Sequence, residues 1–226
     1  MARNPTRSGA VTRRSAGRRR PTLSPEAITD AAIRLADGDG LEAVSIRRIA
    51  AELDARPMSL YDHFAGKDEL LDSMAERVVE EMLVPGPLPN HWRSAMAAAA
   101  MRFYVTFVVH PWLVTIFGRR SAFGPNSKKV ALQSAQALSG LPLEPDERWT
   151  MQGILNDYIL GYSLRSAVSS PADLGDAIGA EDLEEAPELA ALPENLRSRA
   201  SLERFELGLQ IVLDGIEGRL DRKPLP

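Results

Sequence analysis

Polar and basic side chains cluster between Ser45 and Lys67, among apolar residues that recur at helical spacing. The apolar members, which we predict to face a core, are Ile46, Ile49, Leu53, Leu60 and Phe64. The residues left to face outward are Ser45, Arg47, Arg48, Arg56, Met58, Ser59, Tyr61, His63 and Lys67. Arginine can donate two hydrogen bonds to one guanine, serine can hydrogen-bond to base edges, and methionine can contact a thymine methyl group. Tyrosine, histidine and lysine can hydrogen-bond to phosphate oxygens. The cluster therefore has the chemistry of a DNA-binding surface, and the alternative is an ordinary solvated polar face.

Short helices must position this cluster. Ser24-Pro25-Glu26 opens the first helix, since serine caps, proline suits the first position and glutamate suits the positive end of the dipole; Gly40 ends it. A second helix begins at Ser45 and is followed by a tight turn at Asp54 and a third helix over about 57–64. Helices joined in this way form a helix-turn-helix unit, which we predict over residues 24–70.

The remainder of the chain, residues 71–226, also has helical periodicity and no alternating strand pattern, which predicts an all-α protein with a second, larger helical domain. The helices predicted after the third are 67–83, 91–109, 111–117, 128–139, 145–169 and 201–220. Residues 170–196 hold eight acids, no base and three prolines, and are predicted to form an acidic loop.

Charge is distributed unevenly. Residues 1–67 hold twelve basic and eight acidic residues, although the whole chain has a net charge of −4. Seven of these basic residues are arginines in residues 1–23, where no acid occurs. We predict a disordered basic arm there, either a solubilising tail or an arm that lies along DNA.

Composition disfavours several classes of protein. The chain has no cysteine and only three histidines, which argues against disulfides, thiolate sites and zinc, so no cofactor is expected. There is no phosphate-binding glycine loop and no convincing nucleophile–base set, so we expect no enzyme. No stretch approaches the roughly 18 uncharged apolar residues of a membrane span, and no apolar core follows the arginine-rich start, so we expect a cytoplasmic protein without membrane contact.

One stretch is specific enough to indicate a family. Residues 24–74, and above all Gly40 to Leu71 (GLEAVSIRRIAAELDARPMSLYDHFAGKDELL), resemble the DNA-binding domain of the tetracycline-repressor (TetR) family of bacterial transcription regulators. Weaker resemblance continues through DYILGYSL (Asp157–Leu164) and RFELGLQIVLDGIEGRL (Arg204–Leu220). These segments are similar to the dimer-forming helix and the last helix of members whose carboxy-terminal domain is of the tetracycline-repressor type.

The resemblance implies roles for matching residues. Ser45, Tyr61, His63 and Lys67 match positions that hold the phosphate backbone. The positions that face the major groove are matched by Arg47, Arg56, Pro57, Met58 and Ser59. Asp54 stands where the family usually has glycine, and aspartate tolerates the left-handed conformation that such a turn needs. Asp62 is a second departure, which either points away from DNA or accepts a hydrogen bond from a cytosine amino group.

The carboxy-terminal domain carries two further expectations. Apolar stripes and helical glycines, which permit close helix approach, predict a homodimer built on two helices from each subunit, although packing within one chain is the alternative. The predicted interface residues are Gly153, Gly161, Phe205, Gly208, Leu209, Val212 and Gly215.

The many aromatic residues of this domain predict either an ordinary hydrophobic core or a cavity for an apolar ligand. The candidate cavity residues are Phe103, Phe107, His110, Trp112, Phe117, Trp149, Gln152 and Asn156. His110, next to Pro111, could instead simply end a helix.

These expectations combine into one hypothesis. We expect a homodimeric transcriptional repressor, released from a palindromic double-stranded DNA operator by a small apolar or aromatic effector. Phe117 aligns near the histidine with which the family's founder binds its drug–magnesium chelate, which argues against tetracycline as the effector. An interaction module without DNA binding and a non-specific architectural DNA-binding protein are the alternatives. Whether the effector releases or promotes DNA binding stays open.

Overall fold

The computed structural model describes residues 23–117, 124–168 and 202–221, all helix, turn or loop without a strand. The predicted basic arm (1–23, apart from Leu23) and acidic loop (170–196) lie outside these residues. The α-helices are α1 Pro25–Asp39, α2 Ile46–Glu52, α3 Pro57–Leu60, α4 Lys67–Val79, α5 Trp92–Val109, α6 Trp112–Phe117, α7 Pro125–Leu138, α8 Pro145–Val168 and α9 Leu202–Leu220. Single 3₁₀ turns cover Leu41–Ala43 and Glu80–Met82. The all-α prediction is confirmed.

The first three helices pack around a small apolar core. Ser24 caps α1 by accepting a hydrogen bond from the backbone N–H of Ala27 at 3.2 Å, as its residue type predicted. Ile28, Ile49 and Leu60, one from each helix, are fully buried. Helix α4 packs against α1 and extends this unit into the rest of the protein.

Three predicted helix boundaries were wrong, and one of them is the end of α4, which lies at Val79 rather than at residue 83 and is followed by a 3₁₀ turn. Helix α3 is regular only to Leu60, because the N–H groups of Tyr61 and His63 bond three residues back and form tighter turns. Helix α7 begins at Pro125 rather than residue 128. Its start is held by Glu76 of α4, whose carboxylate accepts from the N–H groups of Asn126 and Ser127. A cap supplied from fifty residues away leaves no local sequence signal.

Helix α5 occupies the centre of the carboxy-terminal domain and contacts α7, α8 and α9. Tyr104 of α5 stacks on Phe205 of α9 with ring centroids 4.1 Å apart. Tyr158 of α8 packs on the other side of Phe205 and donates its hydroxyl to the Phe205 carbonyl at 2.8 Å. Burial disfavours the phenolate and raises the pKa of Tyr158 to about 12, so this aromatic cluster stays neutral. In the described part of the chain, no helix has the length and apolar character needed to cross a membrane.

Candidate nucleic-acid interface and internal cavity

The turn between α2 and α3 directs one polar surface toward solvent. Asp54 adopts the left-handed conformation, with φ of 50°, as expected for a residue that replaces a turn glycine. Arg47 on α2 and Arg56, which precedes α3, are exposed. Met58 is 74% exposed, although burial of such a side chain would stabilise the fold by about 2 kcal/mol. An arginine–methionine surface of this kind can meet base edges and thymine methyl groups.

Other predicted contact residues surround that surface. Tyr61 and Lys67 are exposed, and His63 is half-buried. Pro57 occupies the first turn of α3, where its missing N–H leaves no internal hydrogen bond unmade. Asp62 is exposed as well, so its charge is presented to solvent rather than to the core.

Three predicted contact residues already have partners within the chain. Arg48 pairs with Asp39 at the end of α1. Ser59 donates its hydroxyl to the carbonyl of Arg56 at 2.7 Å. Ser45 caps α2 by accepting from the N–H of Arg48 at 3.3 Å, which leaves its hydroxyl hydrogen available as a donor. One terminal nitrogen of the Arg48 guanidinium is therefore already engaged by Asp39, and the others remain as donors for a phosphate or a base.

A cavity of about 390 Å³ lies between α4, α5, α6, α7 and α8. It is lined by Val79, Met82, Phe103, Phe117, Ser127, Val130, Ala131, Ser134, Ala135, Leu138, Pro145, Arg148, Trp149, Gln152 and Asn156. Its size falls in the range of small-molecule sites, about 300 to 1,000 Å³, and its walls are mainly apolar with a few polar groups. This composition suits a largely apolar ligand that is oriented by a small number of hydrogen bonds.

The sequence analysis identified part of this lining. The five predicted residues that line the cavity are Phe103, Phe117, Trp149, Gln152 and Asn156. The wall contributed by α7 was missed, although Ser127, Ala131, Ser134 and Leu138 recur at helical spacing and mark one face of that helix. The signal was overlooked because small and hydroxylated residues are weak markers of a binding site.

Three predicted cavity residues occupy other places. Phe107 is not part of the cavity lining and makes a T-shaped contact with Phe117, with centroids 5.6 Å apart. His110 Nδ1 and Trp112 Nε1 both lie 2.7 Å from the same carboxylate oxygen of Asp37. His110 and Trp112 therefore join the body to the helix-turn-helix unit rather than face the cavity, because the chain turns sharply between α5 and α6.

The polar side of the cavity lies on α8. Gln152 Nε2 donates to Asn156 Oδ1 at 3.0 Å. Gln152 Oε1 is buried and has no hydrogen-bond partner among the described residues. Arg148 is half-buried and donates to the carbonyl of Leu141 at 3.4 Å. A ligand in the cavity would thus meet the Arg148 cation.

The cavity contacts the helix that carries the helix-turn-helix unit. Val79 at the end of α4 lines the cavity directly. Ser127 of α7 also lines it, and its N–H and hydroxyl reach Glu76 of α4 at 2.9 and 3.2 Å. The fit is tight, since a Cβ added at Gly124 would lie 1.9 Å from the Glu76 carboxylate. Movement of the α7 wall would therefore act on α4.

Helices α8 and α9 together expose an apolar face to solvent. Ile154 and Leu164 of α8 are 50% and 44% exposed, and Leu207 and Ile211 of α9 are 64% and 63% exposed. Gly161 and Gly215 are also exposed, with open space where a Cβ would stand. An apolar face of this kind on two neighbouring helices suits contact with another protein surface.

The predicted interface residues do not all lie on that face. Phe205 and Leu209 are buried within their own subunit against the tyrosine cluster, which corrects their assignment to an interface. Gly208 makes room for Tyr158, whose hydroxyl oxygen would lie 2.3 Å from an added Cβ. Gly153 and Val212 are half-buried at the border. The prediction chose the stripe of α9 that packs inward, because both stripes are apolar.

Comparisons with known proteins agree with this architecture. Residues 28–74 match the model of bacterial regulatory proteins of the tetR family, and residues 85–220 match the tetracyclin repressor-like carboxy-terminal domain. The chain is 29% identical over 213 residues to the HTH-type transcriptional repressor DrrR1 of Streptomyces coeruleorubidus, covering 88% of this chain and 78% of that protein. An HTH-type transcriptional regulator of Saccharopolyspora erythraea is 28% identical over 182 residues, covering 80% and 72%.

Solved structures are similar over the same extent. Apo ActR from Streptomyces coelicolor superimposes with a TM-score of 0.73 at 27% identity, covering 88% of this chain and 96% of ActR. ActR in complex with actinorhodin has the same TM-score and identity, with 88% and 97% covered. Because the two family models together span the helix-turn-helix unit and the helical body, the chain belongs to the TetR family of bacterial transcription regulators.

Proposed function

We propose that this protein is a transcriptional repressor that binds a palindromic operator as a homodimer and is released by a small apolar or aromatic effector. The observation that carries the proposal is the exposed surface formed by Arg47, Arg56 and Met58 around the left-handed turn at Asp54. Apolar and basic groups exposed together, on a helix-turn-helix, are suited to the major groove. The relative DrrR1 is named as a repressor, which supports the direction of regulation.

The cavity supports an effector. It lies in the body, and none of the exposed residues around Asp54 lines it, so one chain can hold a ligand and DNA at separate sites. ActR has been solved with (S)-DNPA and with actinorhodin. By analogy, we assign the cavity of this chain to a small-molecule effector. The protein then acts by binding rather than by catalysis.

Two contacts offer a route from the cavity to DNA. Glu76 joins α4 to the cavity wall through Ser127, and Asp37 of α1 joins His110 and Trp112. An effector that fits the cavity better in one orientation of α4 would shift the population toward that orientation. The shift is limited by the difference in the effector's affinity for the two states.

The exposed apolar face of α8 and α9 supports the homodimer. Residues Ile154, Leu207 and Ile211 would otherwise leave large side chains in water. A two-fold dimer would bury the same patch on both subunits and would hold two DNA-binding surfaces at a fixed spacing. This spacing predicts an inverted-repeat operator.

The test is a selection of random duplex DNA with the purified full-length protein, followed by salt-titrated binding of the enriched sequences. An inverted repeat bound at least roughly 10³-fold above competitor DNA supports the proposal. Enrichment of no sequence, with only steeply salt-dependent binding, supports non-specific architectural binding instead. Absence of binding at low salt contradicts DNA recognition and favours an interaction module.

A further inference from the structure

We propose that the basic arm before α1 makes a second DNA contact, in which Arg18, Arg19 and Arg20 bind an A·T-rich minor groove that flanks the operator half-site. This inference rests on the proposed repressor and adds a DNA contact to it. Three observations carry it: the composition of the arm, the fixed point at which the arm joins α1, and the position of that point beside the DNA-binding surface.

The composition of the arm suits DNA better than it suits a solubilising tail. Residues 1–23 contain seven arginines but no lysine and no acid, and Arg18 to Arg20 are consecutive. Acidic residues raise solubility more than basic residues do, so solubility alone does not account for this composition. The narrow minor groove of A·T-rich DNA has an enhanced negative potential, which attracts arginine side chains.

The arm joins α1 at a fixed point. Leu23 packs against the hydrophobic core to which Ile28 and Leu60 belong. Only Pro21 and Thr22 separate Leu23 from the arginine triplet. Because an extended residue spans at most about 3.6 Å, the Cα atoms of the triplet cannot lie more than roughly 11 to 18 Å from that of Leu23. The triplet is therefore confined to the neighbourhood of the α1 start.

The start of α1 lies on the α3 side of the helix-turn-helix unit. Asp39 at the end of α1 pairs with Arg48 near the start of α2. Arg34, earlier in α1, pairs with Glu52 at the end of α2 at 2.7 Å. The two helices therefore run in opposite directions, and the start of α1 extends beyond the end of α2, where the chain turns into α3.

The first turn of α1 is also close to a residue that is predicted to hold the phosphate backbone. Hydrogen bonds from its own N–H and from Ser24 lower the pKa of the Glu26 carboxyl, and the nearby charge of His63 lowers it further. Each sugar–phosphate strand of a duplex separates the major groove from the minor groove. With α3 in the major groove and His63 on that strand, the arm begins beside the strand and the triplet can reach across it into the adjacent minor groove.

The test uses the operator from the DNA selection, with the three base pairs on each flank made A·T, G·C or inosine·cytosine. Inosine lacks the guanine amino group, so inosine·cytosine resembles A·T in the minor groove and G·C in the major groove. The three probes therefore show which groove is read. We expect the full-length protein to bind the A·T and inosine·cytosine probes about tenfold more tightly than the G·C probe.

Replacement of the triplet tests the residues themselves. The full-length variant Arg18→Ala/Arg19→Ala/Arg20→Ala should lose the flank preference and still bind the operator, because α2 and α3 are unchanged. A matched control removes the same charge farther from α1 and should keep the flank preference. That control is Arg3→Ala/Arg7→Ala/Arg13→Ala.

Several results would overturn the inference. They are equal binding of the three probes, a preference for A·T over inosine·cytosine as well as G·C, a preference that survives replacement of the triplet, or a preference that the control loses equally. An operator bound without flank preference would reject the arm contact and leave the repressor standing. Enrichment of no sequence in the selection would reject both proposals, because the arm would then have no half-site to flank.

Discussion

At the scale of single residues, Arg47 and Lys67 are both exposed cations, but their places in the fold differ. Arg47 projects from α2 within the surface around Asp54, and Lys67 is the first residue of α4. A side chain beside base edges contributes to sequence choice, whereas a cation on the phosphate backbone contributes affinity for every sequence. We therefore propose that the two residues make separable contributions, Arg47 to sequence choice and Lys67 to affinity for any sequence.

Replacement of each tests this difference. We expect Arg47→Ala to cost about 1–3 kcal/mol of operator binding and to relax base choice at one position. Lys67→Ala should weaken all sequences alike and lower the slope of log K against log salt by about one. Binding to the selected operator and to single-base variants, over a salt series, measures both effects. Equal loss of selectivity in the two variants would reject the division of roles.

The turn residue Asp54 supports a prediction about stability. Its φ of 50° lies in the left-handed region, where a Cβ is unfavourable and glycine is not. Asp54→Gly and Asp54→Ala both remove the carboxylate, so they differ only in the Cβ. We expect the alanine variant to be less stable by about 1 kcal/mol, measured by urea unfolding. An alanine variant as stable as the glycine variant would contradict a strained turn.

At the scale of elements, the contact between α4 and α7 depends on one carboxylate. Glu76 accepts hydrogen bonds from the first N–H groups of α7, where the helix dipole also favours negative charge. This cap connects the helix that leaves the DNA-binding unit with a wall of the cavity. Glu76 therefore links α4 to α7 in addition to capping the start of α7.

Glu76→Gln should weaken the cap because it removes the charge and one acceptor oxygen. We expect a loss of about 1 kcal/mol in the free energy of unfolding, and faster hydrogen exchange at the amides of Asn126 and Ser127. Glu80→Gln is the matched control, since Glu80 is an exposed carboxylate whose pair with Arg77 spans 3.6 Å. Exchange at these amides that is unchanged by Glu76→Gln, or equally changed by the control, would refute the role of Glu76.

At the scale of the whole molecule, the proposed dimer depends on the outward face of α8 and α9. A charge in the centre of a two-fold interface meets its own copy, so it opposes association both by repulsion and by desolvation. Ile211 is 63% exposed on that face, and Leu132 is 61% exposed on α7. The two residues form a matched pair that differs in location.

Ile211→Glu should shift the protein toward monomer and weaken operator binding, whereas Leu132→Glu should change neither. Analytical ultracentrifugation over a concentration series, together with operator titration, provides the measurement. If the Ile211→Glu variant stays dimeric while the Leu132→Glu variant dissociates, the interface involves α7 rather than α9, and our proposal is wrong. Dimers in both variants would place the interface on another surface.

The sequence by itself determined the features that depend on local chemistry. Ser24 and Ser45 predicted helix starts because a serine side chain bonds to the N–H three residues on. Asp54 predicted its left-handed turn, and helical periodicity predicted an all-α chain. The residues exposed around that turn were predicted by setting aside the apolar positions of the helices, which face the core. Each of these inferences needs only neighbours within a few residues.

Only the tertiary structure decided which surface meets which. Helix α9 has two apolar stripes, and the fold buries Phe205 while it exposes Ile211. His110 and Trp112 share the Asp37 carboxylate more than seventy residues away in sequence, at 2.7 Å, instead of lining the cavity. Glu76 likewise caps a helix about fifty residues on. Periodicity records that a face is apolar or polar but not its partner, because the partner is chosen by long-range packing of the whole chain.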